Sequence, residues 1–133
     1  MEATMSNRLV VGLAVCGAIV WASSGKAEQP VESYVAFLSE ADHFNSTGER
    51  LRTAAAIIRQ DRANFHRFGR RDQADESDSF FADEANREAL EQMLEHGDAS
   101  PGVVSRIVNG TALIRVDILR SSTRPFIRVT VLD

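Results

Sequence analysis

Arg59, Arg62, His66 and Arg70 are the residues of this chain whose types and spacing best fit a chemical role. Arg59, Arg62 and His66 recur at i, i+3 and i+7, one border of a helix, and Arg70 follows four residues after His66. Guanidinium neighbours disfavour a second positive charge on the imidazole and leave the neutral form, which can act as a base. The same arginines would draw in an anionic substrate or ligand. His66 is therefore the one catalytic candidate, and Arg59, Arg62, His66 and Arg70 are the ligand-binding candidates.

Asp61 lies beside them, inside an apolar arc, and needs a cation if it is buried. An arginine from a neighbouring strand or the Arg70-Arg71 pair could supply it. His43, His66 and His96 are too far apart to pair as metal ligands on one helix, and no His-Glu-x-x-His occurs. The chain also lacks a glycine-rich phosphate loop and a Gly-x-Ser-x-Gly elbow. No metal and no cofactor is expected.

Helices are needed to position these groups. Val31, Tyr34, Val35 and Leu38 sit at i, i+3, i+4 and i+7, which predicts a helix from Pro30 to Asp42. Ser46 and Glu49 match a capping box and predict a second helix running to Phe68, ended by Gly69. Its inner arc holds Leu51, Ala54, Ala55, Ile57, Ile58, Phe65 and Phe68. Residues 69–78 read as a polar loop, and Phe80-Phe81 as its anchor in the core. Asp83 caps a third predicted helix, Glu84 to His96.

From Val103 the apolar period changes to two. The pattern predicts strands at Val103–Val108, Thr111–Leu119 and Phe126–Leu132, with Asn109-Gly110 as a tight hairpin turn. The expected fold is α+β: about three helices followed by a three-stranded antiparallel meander, with the helices packed on one sheet face. The other face would present Leu113, Arg115, Leu119, Phe126 and Arg128, a mixture too apolar for a surface that meets only water. These five are the interaction-face candidates. The predicted edge strands carry no obvious blocking partner, so a homodimer through sheet edges is also expected to be available.

Leu9 to Ala22 is an uncharged run of 14 residues behind Arg8. A membrane span needs about 20 apolar residues, so the run reads as a signal peptide, cleaved after Ala27. The domain division is then 1–27 signal and 28–133 a single small domain, exported to the periplasm or secreted. Uncleaved, the run would anchor the N-terminus in a membrane. Cys16, the only cysteine, Trp21 and Lys26 leave with the signal. The exported part has no thiol for a disulfide, a nucleophile or a thiolate metal site.

Charge alternates in blocks. Residues 28–49 hold five acids and no base, and residues 50–71 hold seven arginines and one acid. Residues 72–98 hold ten acids and one arginine, and residues 99–133 five arginines and two acids. The net negative balance argues against a nucleic-acid partner, and internal complementarity accounts for the blocks. The leading functional expectation is an exported binding or interaction domain for a protein or a small anionic ligand. The alternatives are a small hydrolase- or lyase-type enzyme with His66 as base, and a self-associating structural protein.

Overall fold

A computed structural model describes residues 29–133. The expected signal peptide lies outside the described residues. Among the described residues no helix is long and apolar enough to cross a membrane.

The elements are strand β1 (Glu32–Leu38), helix α1 (Ala54–His66), helices α2 (Glu84–Glu88), α3 (Leu90–Glu95) and α4 (Pro101–Asn109), and strands β2 (Ala112–Arg120) and β3 (Pro125–Val131). Single 3-10 turns stand at Glu40–His43 and Phe80–Ala82. The sheet order is β1-β2-β3, antiparallel throughout. The class is α+β with a three-stranded antiparallel sheet, as the patterning implies. Two elements differ from expectation.

The first is β1, where a helix was expected over Pro30–Asp42. Tyr34, Ala36 and Leu38 are buried while Ser33, Val35 and Phe37 are only partly so, a period of two. β-Branched and aromatic residues suit a pleated surface, and the strand pairs with β2, some 80 residues away. That partner outweighs the weak helical spacing.

The second is α4, where a strand was expected at Val103–Val108. Ser100 caps it, its hydroxyl accepting from the Val103 amide at 3.2 Å, and Pro101 opens it. Val103, Val104, Ile107 and Val108 then fall on one helical face against the core. Gly110 is fully extended, so no tight hairpin turn forms there. β1 takes the sheet position expected of Val103–Val108.

Smaller shifts have local causes. α1 starts at Ala54, capped by Thr53, because Asn45 Oδ1 instead collects the Thr47 and Glu49 amides in a turn. Gly69 ends the region with φ +65°, a conformation natural to glycine. The expected 84–96 helix is broken in two at Ala89, with Asp83 as its N-cap. Gly97 follows because a Cβ there would collide with the Ile127 carbonyl of β3.

One sheet face holds Tyr34, Ala36, Leu38, Ala112, Ile114, Val116, Ile118, Ile127 and Val129, all buried. Ile57 and Ile58 of α1, Phe81, Leu90, Met93 and Ile107 cover it. Each large apolar side chain buried this way contributes about 1.5–3 kcal/mol before entropy is counted.

Both sheet edges are partly occupied. The Glu76 amide donates to the Val35 carbonyl at 2.8 Å, and the Phe37 amide donates to Asp75 Oδ1 at 2.8 Å. On β3, the Asp98 amide donates to Ile127 and the Val129 amide donates to Asp98. The edges are β1 and β3, and the chain itself takes up part of the pairing that an edge-to-edge dimer would use.

Candidate functional site

The sequence candidates separate into an interior network and an outer sheet face. The interior network starts on α1. Its apolar residues turn Asp61, Arg62 and Phe65 inward, so Arg62 enters the core fully buried. The guanidinium stacks on the Tyr34 and Phe65 rings, 4.1 and 4.6 Å from their centroids. Its Nε donates to Asp61 Oδ2 at 2.8 Å. Its Nη1 donates to Asp78 Oδ1 at 2.8 Å and to the Glu76 carbonyl at 3.0 Å. Arg62 Nη2 and Tyr34 Oη, both buried, have no hydrogen-bond partner among the described residues.

Asp78 joins this arginine to His66. Its Oδ1 also accepts from His66 Nε2 at 2.8 Å, and its Oδ2 accepts from the Phe81 amide. The imidazole is 12% exposed. A carboxylate fixes one ring nitrogen, the arrangement of an oriented base. None of the clefts described below is lined by His66.

Next to Arg62, Asp42, Asp61 and Asp72 bring carboxylate oxygens within 4.8 Å of one another. Asp42 accepts from Asn64 Nδ2 at 2.8 Å and from the Ser39 amide and hydroxyl. Three hard oxygen donors are a ligand set for a divalent cation. Protonation of one of the three would relieve the same repulsion that a cation would. Burial first, with Asp42 and Asp75 adding, pushes the Asp61 carboxyl up to about 8 against the pull of Arg62. Asp72 is also raised, by burial and then by Asp42. Burial pushes the Tyr34 phenol well above its ordinary value. For Arg62, burial opposes the charge, but Tyr34, Asp61 and Asp78 outweigh it and raise the group. Arg62 thus lies 2.8 Å from each of two carboxyl groups, Asp61 and Asp78.

Arg62 therefore does not share a surface with Arg59 and Arg70, which are exposed. Of the seven arginines in 50–71, only Arg62 forms an ion pair among the described residues. Arg50, Arg67, Arg70 and Arg71 lie over aromatic rings instead. Arg59 and Arg67 line a cleft of about 260 Å³ with Glu84, Arg87 and Glu88. Arg70 belongs to another, of about 200 Å³, with Gln60, Asn64 and Phe68. A wider cleft, about 620 Å³, is lined by α1, α3 and α4 and by none of the sequence candidates, though Asp98 on its wall lies 3.8 Å from Arg128.

The outer sheet face is set by register. Ser33, Asp117 and Arg128 form one cross-strand row, and Val35, Arg115 and Thr130 the next. Val31, Leu119 and Phe126 lie at one end, and Phe37, Leu113 and Leu132 at the other. The Ser33 hydroxyl donates to Asp117 Oδ1 at 2.6 Å, and Arg115 Nε to the same oxygen at 3.1 Å. Arg115 and Arg128 are 51% and 42% exposed at the side chain. Leu113 and Phe126 are half-buried, Val31 and Leu132 exposed, and Leu119 only 1% exposed. Four of the five candidates thus retain accessible surface.

Sequence reasoning did not find Asp42, Asp72, Asp78 or Tyr34. Asp78 stands two residues before the Phe80-Phe81 anchor that the sequence does show, which was its one available signal. Compared with known families, with curated proteins and with solved structures, the chain shows no match.

Proposed function

We infer that this chain is a binding module whose outer sheet face takes a polypeptide carrying both apolar and acidic side chains. One observation carries the reading: the helices cover the inner face, while the outer face leaves Arg115 and Arg128 accessible between apolar ends. Accessible charge flanked by partly exposed apolar side chains can serve recognition of another protein. Arg115 pairs with Asp117 and Arg128 lies 3.8 Å from the exposed Asp98, both pairs screened by water, so an acid in the partner can exchange for either aspartate.

Size limits the kind of complex. Three strands at ~4.8 Å spacing and seven residues at ~3.3 Å rise give roughly 300 Å². A stable interface needs about 800 Å² on each partner. The face alone does not hold a permanent homodimer, and a partner reaches further, onto Val31, Leu132 and the turn arginines Arg120 and Arg124. Export of the chain remains part of this proposal, resting on the apolar run Leu9–Ala22.

Selection from a displayed peptide library tests the reading. Enriched peptides should combine acidic with apolar residues and should lose at least tenfold in affinity for Leu113→Glu and for Arg115→Glu/Arg128→Glu. Arg59→Ala/Arg67→Ala should bind like wild type. Peptides that bind all variants equally would refute the assignment.

The Asp78–His66 pair favours a second reading, a base acting on a small anionic substrate. Hydrolysis of carboxylate-bearing nitrophenyl esters, lost in His66→Gln, would support it. Equal rates in the two proteins would end it.

A further inference from the structure

The cleft of about 200 Å³ beside the end of α1 has a lining unlike its neighbours. Phe44 and Phe68 line it with three amide side chains, Asn45, Gln60 and Asn64, and with Arg70. No carboxylate lines it among the described residues. Glu84 and Glu88 line the cleft at Arg59, and Glu91 and Glu95 the wider one at α4. Arg70 is the only charged group on this wall, so the cleft favours an anion.

The chain builds the arrangement from two sides. α1 places Gln60 and Asn64 one turn apart. Gly69, at φ +65°, turns the backbone, and the Arg70 amide donates to the Asn64 carbonyl at 2.7 Å. That bond holds Arg70 against the end of α1. Its guanidinium lies 5.9 Å from the centroid of the exposed Phe68 ring and forms no ion pair among the described residues. Across the cleft, Asn45 Oδ1 accepts from the Thr47 amide and hydroxyl and from the Glu49 amide. These bonds fix the Asn45 amide and leave its Nδ2 for a ligand.

The other two amides are also oriented. Asn64 is 7% exposed; its Nδ2 donates to Asp42 Oδ1 at 2.8 Å and its Oδ1 accepts from Gln60 Nε2 at 3.0 Å. Gln60 Oε1 is the free end of this relay. The cleft thus joins a donor, an acceptor and a guanidinium beside two aromatic rings. A hydroxyl both donates and accepts, and so matches Asn45 with Gln60. A carboxylate matches Arg70. The apolar face of a ring packs on Phe44 and Phe68. The volume lies below the ~300–1,000 Å³ of drug-sized pockets and suits a single six-membered ring.

We propose that this cleft binds one hydroxylated ring bearing a carboxylate, a sugar acid of the hexuronate type. The carboxylate pairs with Arg70, and the hydroxyls bond to the Asn45 and Gln60 amides. The site lies on the helix side and is independent of the peptide-binding face.

Proton–nitrogen spectra of the full chain titrated with D-glucuronate test this. The side-chain amide signals of Asn45 and Gln60 and the Arg70 Nε–H signal should shift together and saturate at millimolar concentration. D-Glucose lacks the carboxylate and cyclohexanecarboxylate lacks the hydroxyls; each should bind at least about tenfold more weakly. Arg70→Ala should weaken glucuronate by at least about tenfold and Gln60→Ala by about threefold. Arg52→Ala, on the wider cleft, should bind like wild type. No shift at these three side chains, or equal affinity for glucose or for cyclohexanecarboxylate, would overturn the proposal. The comparison of the three compounds uses the wild-type chain, so it decides even if a variant fails to fold.

Discussion

Arginine meets aspartate on both sides of this sheet, with opposite consequences. On the helix side Arg62 is fully buried between Tyr34 and Phe65 and ties together Asp61, Asp78 and the Glu76 carbonyl. On the open side Arg115 reaches Asp117 at 3.1 Å while half exposed. Water screens the second pair, so it contributes about 0–1 kcal/mol. The first pair has given up its hydration, and removing either partner strands a charge in the core. Identical chemistry is architectural on one face and open to water on the other.

The largest effect should come from Arg62→Met, which leaves Asp78 buried without its cation. A loss of about 3–5 kcal/mol is expected, read from urea denaturation. A loss below about 1 kcal/mol would place Arg62 in the same class as Arg115 and remove the contrast. Next in size is the pH dependence carried by Asp61. Its carboxyl is raised from 3.8 to about 8 on folding, so the unfolded chain gives up its proton first. The stability tied to the protonated group is complete below about pH 4 and is lost as pH rises towards 8. Asp61→Asn should flatten the stability profile in that window, and thermal melts of both proteins at pH 4, 6 and 8 would show it.

Thr53→Ala removes the hydroxyl that caps α1, the helix supplying Asp61, Arg62 and His66. It should cost ~1 kcal/mol and lower the melting temperature by a few degrees. The smallest effect on stability belongs to Arg115→Ala, within about 1 kcal/mol of wild type, while peptide binding falls. A stability loss as large as that of Arg62→Met would mean the outer face is structural as well.

Much of the inner face could be read from sequence. Ala112, Ile114, Val116 and Ile118 alternate without interruption, as do Ile127, Val129 and Val131, and each alternation survives in β2 and β3. Local caps were equally readable: Asp83 and Gly69 do what their side chains predict. The failures share a physical reason. Tyr34-Val35-Ala36-Phe37-Leu38 satisfies a helical and an extended pattern at once, and only β2 decides between them. Val103–Val108 has the same ambiguity, which Ser100-Pro101 resolves towards helix.

For the candidate site, sequence placed Arg59, Arg62 and His66 on one helix and noted that a buried Asp61 needs a cation. It did not show that the cation is the adjacent Arg62, or that Asp78, 16 residues on, completes the pair. The sequence by itself determined the block charges, the apolar run Leu9–Ala22, the alternation of β2 and β3 and the amphipathic α1, because these depend on neighbours a few residues apart. Only the tertiary structure decided which strand lies beside β2, which arginine goes inside, and that His43 meets two carbonyls 68 residues apart in the chain. Those outcomes depend on long-range contacts that remove charge from water, and no local spacing encodes which distant group will be there to receive it.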